Sequence, residues 1–338
     1  MFDSNEETNL RRTVLGGVRI FILLIALFAS GEFLLNGAFT RFFGDFQAST
    51  EESTSTALAS AHDVLASVET QVSLLGTKVA DRNVGLSGAI PAPSVAAASY
   101  IIANVDSGEI YAEKNADEVR SIASISKLIT ALSASGSLKS NPTITITKAA
   151  QTTRGNMAHF SLGESMALEN MMYPLLLNSA NDASLAIAEY YKSEFFTVMM
   201  NRQAREIGMV HSRFVEPSGL SPLNVSTARE LLLLARHIHN DKRFIFDITE
   251  IEEKTVDSLL LNGNVKSTRY RNIHQLRNIE GFAGGKNGFT SAAGKTLLSL
   301  FTVENERGGN ETVVIIVLGT DDSTRDSLAL LSWLKTNL

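Results

Sequence analysis

Apolar and polar positions divide the chain into stretches of different period. Ile20 to Phe28 is unbroken apolar sequence, followed by Ala29-Ser30-Gly31 and Glu32-Phe33-Leu34-Leu35. Continued through Ala38, it approaches the ~20 residues that cross a bilayer, so residues 16–38 read as a transmembrane signal-anchor. Arg11, Arg12 and Arg19 precede the run and only Arg41 follows closely. That bias keeps residues 1–15 in the cytoplasm and sends the rest outward. The shortness of the apolar core and the small residues after it leave a cleaved signal peptide as the alternative. Further on, Leu58, Leu65, Val72 and Val79 recur every seven residues, and Ala61, Val68 and Leu75 fall three after the first three. This heptad pattern predicts a helical segment over 56–80 inside a stalk or linker at 39–97. Three short heptads allow either a weak stalk-mediated dimer or a single amphipathic helix. Gly85 to Pro93, with Gly88 and Pro91, reads as a flexible hinge.

From residue 98 to 338 the pattern is that of a folded domain. Ser99 to Val105 and Glu109 to Glu113 alternate around Asp106-Ser107-Gly108 as a hairpin, and a helical middle runs from Ser124 to about Asn240. Strands return at Thr296 to Val303 and Thr312 to Leu318, and Ser327 to Leu334 closes the chain as a helix. Strands at both ends of a helical insertion predict the α/β (α+β) class, an antiparallel sheet with flanking helices and a helical lobe.

Composition narrows the function classes. With 44% hydrophobic and 20% charged residues, the 338-residue chain can bury a sizeable core. The net charge of −6 offers no basic footprint for nucleic acid. There are no cysteines, so disulfides and thiolate metal sites are excluded. His237 and His239 sit two apart on a predicted helix and point to different faces, while His159 and His274 have no partner at ligand spacing. No metal and no cofactor is expected.

Three short polar segments carry the candidate chemistry: Ser124-Ile125-Ser126-Lys127, Ser179-Ala180-Asn181 and Lys286-Asn287-Gly288. A serine hydroxyl is a poor nucleophile until a base takes its proton, and a lysine three residues later on a helix shares its face. The run Ile125 to Ala134 predicts that helix, with Ser124 at its N-terminus, where free N–H groups favour a developing oxyanion. Spacing alone is weak, because Ser332-Trp333-Leu334-Lys335 matches it inside an ordinary amphipathic helix. Ser179-Ala180-Asn181 falls between the apolar run Met171 to Leu177 and the helical run Asp182 to Tyr191, where an N-cap is the bland reading. Lys286-Asn287-Gly288 alone would pass for a turn.

In this order and context the segments resemble the penicillin-recognising serine enzymes, and specifically the D-alanyl-D-alanine carboxypeptidases, the low-molecular-weight penicillin-binding proteins. Supporting stretches include Ala123 to Thr130, Leu162-Gly163-Glu164, Asn178 to Ala183, Pro217-Ser218-Gly219-Leu220, Gly285 to Thr290 and Val317-Leu318-Gly319. The resemblance covers about Ala98 to the end. It implies a β-lactamase/penicillin-binding transpeptidase-like fold, a peptidoglycan stem peptide as substrate and β-lactams as covalent inhibitors. It further implies Ser124 as nucleophile, Lys127 as base, Ser179 as proton shuttle and Asn181 as the amide holding Lys127 and substrate. Lys286 would crowd Lys127 with positive charge. Backbone N–H groups of Ser124 and of Phe289, the residue after Gly288, would form the oxyanion hole. Lys286, Thr290 and Arg325 would bind the terminal carboxylate; the bland alternative for Arg325 is an ion pair with Asp322 or Asp326. Asn287 departs from the threonine usual in the family, which leaves a catalytically impaired penicillin-binding scaffold as one alternative. A β-lactamase or endopeptidase of the same superfamily is another, although no Glu-x-x-x-Asn loop follows Asn181.

Overall fold

A computed structural model of the chain describes residues 91–155, 157–305 and 308–338, all within one compact unit, Arg82–Leu338. The expected cytoplasmic segment, signal-anchor and heptad helix lie outside the described residues. Among the described residues, no helix is long and apolar enough to cross a membrane. Ala92 and Val95 already pack against the domain's core, so ordered packing begins inside the stretch read as a hinge.

A five-stranded antiparallel sheet forms the centre, in the order β2-β1-β11-β10-β9. Its strands are β1 (Ser99–Asn104), β2 (Ile110–Lys114), β9 (Phe282–Thr290), β10 (Gly294–Glu304) and β11 (Asn310–Thr320). The run Val313 to Leu318 on β11 is continuously apolar because both faces of the sheet are covered. Val314, Ile316 and Leu318 join the core beneath the helical lobe. Val313, Ile315 and Val317 face the other way, onto Leu330, Leu331 and Leu334 of the closing helix (Ser323–Asn337). The period of two assigns each residue to its side.

Between β2 and β9 the chain builds the helical lobe. Its central helix α1 (Ser126–Ala134) is buried along its whole length, and it is surrounded by α3 (Leu168–Leu176), α4 (Asn181–Tyr190) and α5 (Ser193–Glu206), with the short α2 (Lys148–Thr152) packed on α4. Two further helices, α6 (Ala228–Asp241) and α7 (Phe244–Glu250), pack against β11 and β9 respectively. The lobe is less purely helical than the sequence predicts. β4 (Thr143–Thr145), β5 (Ser165–Ala167), β7 (Glu253–Leu259) and β8 (Val265–Arg271) make a second, four-stranded sheet. The two-residue strands β3 (Arg120–Ser121) and β6 (Val225–Ser226) pair separately. The β7–β8 hairpin escapes a hydrophobicity reading because its residues are mostly polar and exposed. Its readable signal is Asn262-Gly263 at the turn, the strongest short hairpin cue.

Candidate active site

The three polar segments converge where α1, the α3–α4 loop and β9 meet. Just ahead of α1, Ala123–Ile125 form a single 3-10 turn that runs into the helix. Ser124 therefore sits inside that turn, one residue earlier in helical structure than the sequence predicts. The turn is pinned from both sides: Ile122 N–H donates to Asn224 O at 3.1 Å, and Thr296 Oγ1 on β10 donates to Ile122 O at 3.1 Å. Ala123 holds φ of 48°, and Ser179 in the α3–α4 loop holds 56°. Left-handed backbone at residues other than glycine concentrates at functional sites, where the surroundings enforce it.

Lys127 is fully buried, and its Nζ makes three contacts. It donates to Asn181 Oδ1 at 2.6 Å and to Ser218 O at 2.6 Å, and it lies 3.0 Å from Ser124 Oγ. Asn181 Oδ1 and the Ser218 carbonyl can only accept. Two N–H bonds of a neutral amine satisfy them and leave the lone pair for the Ser124 hydroxyl. Burial lowers the Lys127 pKa to about 7, against the opposing pull of the Glu216 and Asp182 carboxylates. Desolvation, rather than crowding by Lys286, is thus the leading cause.

Asn181 is the first residue of α4. Its Nδ2 donates to Arg154 O at 2.9 Å and its backbone N–H to Gly155 O at 3.1 Å, which fixes the amide with its oxygen toward Lys127. Gly155 leaves this room: a Cβ there would lie 2.4 Å from Asn181 Nδ2. Ser179 is half-buried, and among the described residues its hydroxyl has no hydrogen-bond partner.

On β9, Lys286 is buried and its Nζ donates to Asn287 O at 2.8 Å. Desolvation first, and then the nearby Lys127, hold its pKa well below the ordinary lysine value. Beneath it lies His274, also buried, whose Nε2 stands 3.2 Å from Ser299 Oγ and whose pKa is lowered to about 3 by burial and by Lys286. Gly288 crosses directly over the nucleophile turn: a Cβ would fall 2.6 Å from Ser124 N and 2.9 Å from Ala123 Cβ. The next side chain, Phe289, is 67% exposed, and Thr290 Oγ1 accepts from Ala293 N–H at 3.1 Å in the turn to β10.

Arg325 lies in the first turn of the closing helix, its side chain 62% exposed and 3.3 Å from Asp326 Oδ1. Asp322 caps that helix by accepting from Arg325 N–H at 3.1 Å. The ion pair named as the bland alternative is therefore present in this structure. Ser332 and Lys335 lie on the same closing helix, away from the nucleophile turn. No group of three or more His, Asp or Glu side chains among the described residues could hold a metal.

Two contributors carry no role in the sequence reading. Ser218 supplies a main-chain acceptor to Lys127, and the Glu216 carboxylate accepts from the loop that presents it. The Ser218 contact leaves no mark on residue type because a carbonyl makes it, and the Glu216 contacts depend on a loop closure that residue type does not show.

Residues 87–322 match the family described as D-alanyl-D-alanine carboxypeptidase. A D-alanyl-D-alanine endopeptidase of Escherichia coli (strain K12) is 30% identical over 253 residues, spanning 72% of this chain and 79% of the relative. The crystal structure of D-alanyl-D-alanine carboxypeptidase from Mycobacterium tuberculosis H37Rv matches with a TM-score of 0.66 at 26% identity, over 76% of this chain and 97% of that one. The Streptomyces K15 DD-transpeptidase structure matches with a TM-score of 0.66 at 22% identity, over 72% of this chain and 98% of that one, and bears on the fold alone. The antiparallel sheet with its helical lobe is the penicillin-binding, DD-transpeptidase fold. With the family match spanning well over half of its length, the chain belongs to the D-alanyl-D-alanine carboxypeptidase family.

Proposed function

We propose that the protein is a serine D-alanyl-D-alanine carboxypeptidase that trims peptidoglycan stem peptides through an acyl-enzyme on Ser124. The observation that carries this reading is the 3.0 Å approach of Lys127 Nζ to Ser124 Oγ while its other two contacts go to pure acceptors. Ser124 Oγ attacks the carbonyl carbon between the two terminal D-alanines as its proton passes to Lys127 Nζ. The resulting oxyanion is received by the N–H groups of Ser124 and Phe289. The C–N bond then breaks, and the departing amine takes a proton relayed from Lys127 through the Ser179 hydroxyl. Water next attacks the ester carbonyl and gives a proton to Lys127, which passes it to Ser124 Oγ as the ester C–O bond breaks, releasing the shortened peptide as its acid and returning a neutral Lys127.

Lys286, Thr290 and Arg325 form the cationic and hydroxyl set for the substrate's terminal carboxylate. Arg325 reaches it by exchanging the Asp326 carboxylate for that of the substrate, since a guanidinium fork accepts either. β-Lactams acylate the same serine. Incubation with purified pentapeptide muropeptides followed by mass spectrometry tests the reading: loss of a single terminal alanine is expected, and intact pentapeptides contradict it. A second reading, cleavage of cross-links, is favoured by the endopeptidase relative. It predicts that cross-linked dimers split to monomers in the same digest.

The apolar run Ile20 to Phe28 and the preceding arginines support a membrane-anchored enzyme with the domain 98–338 on the extracytoplasmic side. The heptads between residues 56 and 80 support a stalk that holds it off the surface and pairs weakly with a second copy. Protease accessibility in intact cells tests the first, and cross-linking at Leu65 the second.

A further inference from the structure

Beside the nucleophile, residues 216–221 form a tight loop wrapped around the carboxylate of their own first residue. Glu216 Oε2 accepts from Ser218 N–H at 2.7 Å and from Ser218 Oγ at 2.5 Å. Glu216 Oε1 accepts from Gly219 N–H at 2.7 Å and from Ser221 N–H at 3.2 Å. Four donors thus converge on one carboxylate. The loop is anchored at its base, where Asn224 Nδ2 donates to Glu216 O at 2.8 Å. Turned inward by this arrangement, two successive carbonyls of the loop meet α1: Thr130 Oγ1 donates to Pro217 O at 2.7 Å, and Lys127 Nζ donates to Ser218 O at 2.6 Å. Gly219, at φ +85°, passes so near the nucleophile turn that a Cβ would lie 1.9 Å from Ala123 O.

We propose that Glu216 is a positioning residue of the acyl-transfer site: its carboxylate folds the 216–221 loop so that the Ser218 carbonyl fixes Lys127 Nζ against Ser124, and its charge bears on the lysine. The proposal rests on Lys127 being the base. Two carboxylates act on that amine from two elements: Glu216 from the loop and Asp182 from α4, both favouring the protonated form. The neighbouring Lys286 on β9 is itself held below the ordinary lysine value by burial and by Lys127. Asp182 is occupied with the backbone N–H groups of Ala158 and Ala183 and serves to hold its own helix end. Glu216 is the carboxylate whose loop also touches the amine.

The test is a pH titration of Lys127 itself, followed by NMR of 13C-labelled lysine in the folded protein and assigned with a Lys127→Arg variant. Second-order acylation by a fluorescent penicillin is measured over the same pH range. In Glu216→Gln the lysine titration and the acid limb of acylation move together to lower pH, by on the order of one unit. The acylation plateau falls at least about 10-fold, because the amide NH2 replaces one of the two acceptor oxygens, confronts loop donors, and leaves the amine less well oriented. In Glu216→Asp, which keeps the charge, the lysine midpoint stays within a few tenths of a unit of wild type. A Glu216→Gln midpoint that is unchanged or higher overturns the proposal, because a merely structural loop would lower the plateau alone. Should Glu216→Gln fail to fold, a displaced lysine midpoint in folded Glu216→Asp overturns it equally. The lysine signal is read without turnover. A wild-type protein that resists acylation would therefore count against the serine–lysine reading, and the Glu216 effect would still be decided.

Discussion

Gly288 and Ser124 are in contact through their backbones: a methyl group on Gly288 would lie 2.6 Å from the Ser124 nitrogen and 2.8 Å from Thr296 Oγ1. The strand thus sets the position of the nucleophile turn, and the lack of a side chain at 288 is what permits it. Gly288→Ala should push β9 and the turn apart. We expect a loss of about 1–3 kcal/mol from overpacking and a fall of about 100-fold in penicillin acylation as the oxyanion donors separate. Denaturant melts and acylation kinetics check the two; an alanine variant that acylates normally would show that the strand does not position the serine.

Burying two lysines for catalysis works against stability. Among the described residues Lys286 Nζ has one hydrogen bond, to Asn287 O, and its folded-state pKa is depressed by burial. A base with a depressed folded pKa destabilises the fold at pH values below its unfolded pKa, and stability recovers as pH rises toward that value. Lys286→Met should therefore raise Tm at pH 7 by on the order of 5 °C while abolishing acylation, with the gain shrinking as pH climbs. Lys127→Met should gain less, because it strands Asn181 Oδ1 and Ser218 O without a donor, at about 1–3 kcal/mol each. Calorimetry between pH 6 and 10 checks the order of the two.

His274 has the same sign in a different window. Its pKa falls from 6.5 to about 3 on folding, so between those values the unfolded chain binds a proton that the folded chain refuses. Stability contributed by neutral burial is complete above pH 6.5 and declines as pH drops toward 3. Between pH 6.5 and 4.5 this single group accounts for about 2 kcal/mol. Urea melts of wild type and His274→Gln should converge as the solution is acidified; parallel lines would mean that the ring is protonated in the fold.

Asn287 stands where the family usually has threonine, and its side chain is half-exposed at the cleft. An amide is longer than a hydroxyl and disfavours strands, so Asn287→Thr should accelerate hydrolysis of a D-Ala-D-Ala peptide. Steady-state kinetics checks this, and an unchanged or lower rate counts against it.

Much of this site is written in residue types. A serine and a lysine at helical spacing and a serine-asparagine loop between two apolar helices are recognisable because side chains perform their roles, whereas Lys286-Asn287-Gly288 alone passes for a turn and lies on β9. The central strands were equally legible: Val313 to Leu318 is too apolar to be anything but buried on both faces. What escaped the sequence acts through the backbone. The 3-10 turn at Ser124, the left-handed Ala123 and the Ser218 carbonyl depend on φ/ψ values and loop closure rather than on side-chain identity. The β7–β8 hairpin was missed for the opposite reason: Val256 and Tyr270 are its only two core apolar residues among mostly polar, exposed ones, so its readable signal is the Asn262-Gly263 turn.

The central claim is that Lys127, neutral near physiological pH, activates Ser124. Covalent labelling with a fluorescent penicillin, mapped by peptide mass spectrometry and followed against pH, tests it most directly. The label should sit on Ser124, vanish in Ser124→Ala and Lys127→Met, and appear at a rate that rises with pH through a midpoint of about 7. Folded protein that takes no label, or labelling that persists in Ser124→Ala, would contradict it.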